Sequence, residues 1–101
     1  MAKKSRVKGQ RNEQAIVALL REAGIQAERV PLSGAAGGSF IGDILVDGER
    51  FEAKIRASGF KQIYDWLGDH AGLFIRSDRR ELLIVLRAAD WIELRRRHDE
   101  L

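Results

Sequence analysis

Asp47-Gly48, set between the apolar-rich runs 41–46 and 49–55, constrains this chain more than any other feature. Asp-Gly in that setting is a strong short-range hairpin signal, because both residues tolerate the positive φ that a tight hairpin turn demands. With these two residues as the turn, Val46 faces Glu49, Leu45 faces Arg50, Ile44 faces Phe51 and Asp43 faces Glu52. Two carboxylates then oppose each other with Cβ atoms roughly 5 Å apart, a like-charge pair that weakens a sheet unless something lies between them. A divalent cation would turn that cost into a binding site. Lys54 stands two residues beyond Glu52 and so projects from the same face.

The rest of the chain supplies partners for this hairpin. Residues 12–23 read as a helix, with Ile16, Val17, Leu19, Leu20 and Ala23 as its apolar stripe and Gly24 as the residue that ends it. Residues 26–32 are a strand that Pro31 limits to an edge or an end. A glycine-rich loop, 33–39, precedes the hairpin strands 41–46 and 50–56. Residues 60–69 form a short amphipathic helix with Ile63, Trp66 and Leu67 inward. Strands follow over 71–76 and 81–87, turned by Ser77-Asp78-Arg79-Arg80, and residues 88–97 form a final helix. The expected order is α-β-β-β-α-β-β-α, an α/β or α+β fold with one mixed sheet and helices packed on it. Leu73, Phe74, Ile75, Leu82, Ile84 and Leu86 are the expected core of that sandwich.

At 101 residues, one domain is expected over 11–101, preceded by a basic arm over 1–10. The absence of cysteine excludes disulfides and thiolate zinc sites. No apolar run approaches the roughly 20 residues that cross a bilayer, and the basic N-terminus lacks the apolar stretch of a secretory signal. A soluble, cytoplasmic protein without a membrane partner is expected.

The net charge is +3, and five of the 18 Lys and Arg residues (Lys3, Lys4, Arg6, Lys8 and Arg11) precede the first acid, Glu13. That leaves 13 basic against 15 acidic residues in the remainder. A basic arm on a near-neutral body suits contact with a nucleic-acid backbone, and a solubilising tail has the same composition. Glu13 shares the inward face of Ile16 and Val17, and it also fits the first turn of its helix, where an acid favours the dipole. Glu-x-Lys on a strand is ordinarily a solvated face. The loop 33–39 lacks the Gly-Lys-Ser/Thr ending of a P-loop, so no nucleotide cofactor is expected. Its amides and hydroxyls suit DNA phosphates, and a plain connector is the alternative. Arg56 and Lys61 flank the helix after the motif and suit phosphate contact, with a solvated surface as the plainer reading. Trp66 and Trp91 sit at core spacing, and His70 has no second loop histidine with which to hold zinc.

At Glu13, Asp43, Glu52 and Lys54 the sequence resembles the PD-(D/E)xK nuclease superfamily, and within it the small archaeal-type Holliday junction resolvases. The likeness runs from about Lys8 to Trp91. It comprises a Glu-bearing helix, a Ser/Gly-rich loop, Gly42-Asp43, and Glu52-Ala53-Lys54 on the next strand, then a helix and two strands. Gly42 stands where the superfamily name has proline, and the final helix ends sooner after Trp91 than in typical resolvases. The resemblance implies a restriction-endonuclease-like core. It also implies Mg²⁺, replaceable by Mn²⁺, held by Asp43, Glu52 and the Ala53 carbonyl. Catalytic roles for Glu13, Asp43, Glu52 and Lys54 follow, with Glu13 holding a metal-bound water. Ser33 is the implied loop contact to DNA, beside Lys3, Lys4, Arg6, Lys8, Arg11, Arg56 and Lys61. A homodimer acting on branched DNA in recombination and repair is the implied assembly. The alternatives are another nuclease of the superfamily, acting on nicked, flapped or linear DNA, and a non-catalytic DNA-binding module.

Overall fold

The computed structural model describes residues 2–30 and 43–100, with side chains from residue 11 onward within those spans. Its elements are α1 (Ala2–Glu22), β1 (Ala27–Arg29), β2 (Asp43–Val46), β3 (Glu49–Glu52), α2 (Lys61–Leu67), β4 (Leu73–Ile75), β5 (Leu83–Val85) and α3 (Ala88–Glu100). The order is the expected one. The strands, however, form two small antiparallel sheets, β1-β2-β3 and β4-β5, in place of one mixed sheet. Each sheet pairs strands adjacent in the chain, where closing the intervening loop costs least entropy. The chain divides into two compact units, Met1–Ile55 and Arg56–Leu101. Among the described residues no helix is long and apolar enough to cross a membrane.

In the first unit, α1 begins ten residues before the expected start at Asn12. The N-terminal segment has no apolar stripe to announce a helix. It has no proline to stop one either, and Lys, Arg and Gln are good helix formers. Gly9 is its one weak helix former, at a cost of about 1 kcal/mol relative to Ala. The C-terminus is where the sequence places it. Gly24 adopts φ +82°, its amide donates to the Arg21 carbonyl at 2.9 Å, and the Ile25 amide donates to the Leu20 carbonyl at 3.0 Å. This pair of bonds is a Schellman cap, and the buried side chains of Leu20 and Ile25 close it.

The β2–β3 turn likewise follows the expected chemistry. Asp47 and Gly48 both take positive φ, +50° and +82°, as a type I′ hairpin turn requires. β1 pairs antiparallel to β2, with Ala27 opposite Val46 and Arg29 opposite Ile44. Ile44 and Val46 alternate inward and pack with Ala27, Ile25, Val17 and Leu20 beneath α1.

In the second unit, β4 and β5 form a hairpin in which Phe74 faces Ile84 and Ile75 faces Leu83. The Ser77 carbonyl accepts from the Arg80 amide at 3.1 Å, and Arg79 takes φ +64° in the turn between them. Leu67 and Ile92 are buried here. The Arg87 guanidinium donates to the carbonyls of His70, at 2.8 Å, and Gly68, tying the end of β5 to the end of α2. Three residues expected in the core are exposed: Phe74 (67%), Leu82 (56%) and Ile84 (54%). The run 82–86 is apolar at every position, the signature of a strand covered on both faces. In this hairpin the even-numbered face is largely uncovered. Trp66, also expected inward, is 53% exposed, while its neighbour Leu67 is buried.

Candidate functional site

The hairpin register is the one the turn dictates: Asp43 opposite Glu52, Ile44 opposite Phe51, Leu45 opposite Arg50 and Val46 opposite Glu49. Since Ile44 and Val46 point to the helix-covered side, the pleat sends Asp43 and Leu45 to the other side, together with Glu52 and Arg50. Two carboxylates therefore stand across a strand pair on one face. They differ in environment. The Asp43 side chain is only 15% exposed, whereas that of Glu52 is 58% exposed.

Each carboxylate carries a basic neighbour. Arg50 Nε lies 3.0 Å from Asp43 Oδ2, and Lys54 Nζ lies 3.4 Å from Glu52 Oε1. The four groups alternate in sign, which offsets the repulsion of the like-charged pair. Lys54 stands out in the sequence through the Glu-x-Lys spacing, whereas Arg50 does not. The register itself carries the missing signal. Arg50 is two residues before Glu52, hence diagonal to Asp43, within reach of a long side chain. Ala53, half-buried, follows the last paired residue of β3.

Glu13 stands elsewhere. It is the one buried charged residue among those described, 6% exposed, one turn before Val17 on the inner face of α1. Arg29 Nε donates to Glu13 Oε2 at 2.9 Å. Arg29 is opposite Ile44 and so lies on the helix-covered side of the sheet. Glu13 and the Asp43–Glu52 pair consequently occupy opposite faces, and the structure assembles Asp43, Glu52, Lys54 and Arg50 without Glu13. Arg29 was not singled out in the sequence. Its phase with Ala27 along β1 is the pattern that places it inward.

The residues expected to bind DNA are scattered. Lys3, Lys4, Arg6 and Lys8 belong to the backbone of α1, with side chains outside the described set, and Ser33 lies outside the described residues altogether. Arg11 is exposed on α1. Arg56 lies over the Phe60 ring, 6.0 Å from its centroid. Lys61 is exposed and paired with Asp65 at 2.5 Å, one turn on in α2. His70, for which no zinc role is expected, has Nδ1 3.0 Å from the Leu67 carbonyl in the turn after α2.

Asp43 and Glu52 offer hard oxygen donors, the class that Mg²⁺ and Mn²⁺ take in preference to sulfur or imidazole. Among the described residues no third Asp, Glu or His completes a cluster around them. A cation at this corner would thus rest on two carboxylates, the Ala53 carbonyl and water, a donor set that suits Mg²⁺, which keeps several of its waters. The chain matches no protein-family model, no curated protein and no solved structure.

Proposed function

We propose that the chain is a metal-dependent DNA endonuclease with a restriction-endonuclease-like core, and that it resolves four-way DNA junctions as a homodimer. One observation carries the reading: Asp43 and Glu52 face each other across the β2–β3 pair, with Lys54 beside them. Asp43 and Glu52 would hold Mg²⁺ with the Ala53 carbonyl. Bound there, the ion supplies Lewis-acid polarisation of a phosphate oxygen and a water of lowered pKa. The side chains do the rest. Lys54 orients the attacking water and neutralises charge that develops on the phosphate. Arg50 balances Asp43 in the resting protein and can turn to a phosphate once that carboxylate is otherwise engaged. Glu13, with Arg29, holds α1 against the sheet and so acts by positioning β2.

A twofold dimer would bring two such corners to the two equivalent strands of a junction. The basic α1 N-terminus supplies phosphate attraction that carries no sequence preference. The deciding experiment compares a four-way junction, a linear duplex and a flap of matching sequence, with and without Mg²⁺. Mg²⁺-dependent nicking confined to the junction supports the proposal in full. Equal cutting of flap or duplex assigns another nuclease activity to the same site. Sedimentation of the chain, alone and on a junction, tests the dimer, and a strict monomer removes paired nicking.

The ion pairs of Asp43 with Arg50 and of Glu52 with Lys54 favour a second reading. Four balanced charges need no metal, and the hairpin then serves as the frame of a non-catalytic DNA-binding module. DNA binding with no Mg²⁺-dependent cleavage of any substrate selects it.

A further inference from the structure

Within the second unit, a cavity of about 370 Å³ opens between α2 and the β4–β5 hairpin. Its apolar wall is made of Trp66, Ile75 and Leu83. Its rim is made of Arg76, Ser77 and Arg80, and Glu81 lies 3.5 Å from Arg80. The volume falls at the lower end of the range for small-ligand pockets. Among the described residues Arg76 has no ion-pair partner, so the rim carries one positive charge beyond what Glu81 balances.

We infer that this cavity is a subsite for one unpaired nucleotide, its base stacked on Trp66 and its phosphate held by Arg76 and Arg80. The chemistry is specific in both halves. A half-exposed indole beside aliphatic side chains offers a flat face to a planar ring, and base–aromatic stacking is indifferent to which base is presented. Guanidinium groups at the mouth match phosphate oxygens through paired N–H donors, and the Ser77 hydroxyl adds a further donor. A base inside a duplex is already stacked on its neighbours and cannot reach Trp66. A base that opens where the arms of a junction meet, or one in a flap or a single strand, can. The inference rests on the endonuclease reading for the identity of the polymer. It adds a feature of substrate choice to that reading: a hold on nucleotides that come unpaired where the arms of a junction meet.

The test uses the full chain in EDTA, so that binding is read without cleavage. Fluorescence anisotropy follows a labelled oligothymidylate of about 12 nucleotides, within the site sizes of single-strand binders, and a blunt duplex of equal length. Trp66→Ala should weaken single-strand binding roughly 5- to 150-fold and blunt-duplex binding less than about twofold, with Trp66→Phe retaining most of the single-strand affinity. The double change Arg76→Gln, Arg80→Gln should flatten the slope of log affinity against log salt by about 0.7 for each phosphate no longer bound. Quenching of tryptophan emission by dTMP separates the two sources of the ligand. If the oligonucleotide binds no tighter than dTMP, the occupant is a free nucleotide and the inferred polymer is overturned. Wild-type single-strand affinity in a folded Trp66→Ala protein overturns the subsite. Should that variant fail to fold, an unchanged salt slope in the double arginine variant does the same. Mg²⁺-dependent junction cleavage by the wild-type chain is measured in parallel. Cleavage absent with Trp66-dependent binding retained sinks the endonuclease reading alone, and the reverse pattern sinks the subsite alone.

Discussion

Asp43→Asn should separate chemistry from stability, and the structure says by how much. The change keeps shape and removes one charge. Two consequences for stability oppose each other. Relief of the repulsion with Glu52, across roughly 5 Å, is worth about 1 kcal/mol where water screens the pair. The Glu52 side chain is 58% exposed, so the well-screened figure applies. Against this, the ion pair with Arg50 at 3.0 Å is removed. Arg50 is itself 51% exposed, which puts that pair at about 0.2–1 kcal/mol. The two nearly cancel, so folding free energy should move by no more than about 1 kcal/mol. For a chain of this size that is at most roughly 4–8 °C in Tm. Cleavage should respond quite differently. A carboxylate that holds the metal supports several kcal/mol of transition-state stabilisation, and a loss of about 3 kcal/mol lowers the rate roughly 100-fold or more. DNA affinity should hold or rise, because removing a negative charge cannot weaken phosphate attraction. The assays are relaxation of supercoiled plasmid in Mg²⁺, thermal unfolding, and duplex binding in EDTA. Wild-type cleavage in Asp43→Asn would refute the site. A melting temperature lowered far beyond this range would refute the balance of charges argued above, since loss of activity would then report unfolding.

Lys54→Ala should abolish most cleavage while calorimetric Mn²⁺ affinity is largely kept, because Lys54 stands beside Glu52 without being a ligand; collapse of metal affinity with cleavage intact would contradict that role. Arg29→Met leaves the Glu13 carboxylate buried without its partner and should cost toward the lower end of the roughly 3–5 kcal/mol seen when a buried pair is broken, as chemical denaturation would show. Glu13→Gln should cost less and leave cleavage within about threefold of wild type. A total loss of cleavage in a stably folded Glu13→Gln protein would return Glu13 to the catalytic set. Removing residues 1–8 takes away four of the five basic charges that precede Glu13 and should flatten the salt slope of DNA binding by up to about 0.9 for each phosphate released. An unchanged slope would make that end of α1 a solubilising extension.

The candidate site was legible because every step toward it is local. Asp47-Gly48 demands a two-residue turn, and a two-residue turn dictates the register of the strands it joins. Once the register is set, the period of two puts Asp43, Glu52, Arg50 and Lys54 on one face. The end of α1 at Gly24 is legible for the same reason, since a left-handed C′ residue is a property of a few adjacent positions. The start of α1 is not legible, because no stop signal exists there and helix propensity alone carries the backbone to Ala2. The ion pair of Glu13 with Arg29 is not legible in the sequence, for a different reason. The inward placement of Glu13 follows from helical spacing, but its partner comes from β1, and only the packing of α1 on the sheet brings Arg29 to it.

Local chemistry, then, determined the order of the elements, the β2–β3 register and the pairing of Asp43 with Glu52. The tertiary structure decided how the strands divide into two sheets, which face of the first sheet α1 covers, and therefore that Glu13 lies across the sheet from the two carboxylates. It also decided that Trp66 and Phe74 are exposed although their spacing reads as core. The physical reason is that turns, caps and strand alternation are set by neighbours within a few residues. The covering of an apolar face depends on surfaces distant in the chain, and periodicity says only that such a face exists.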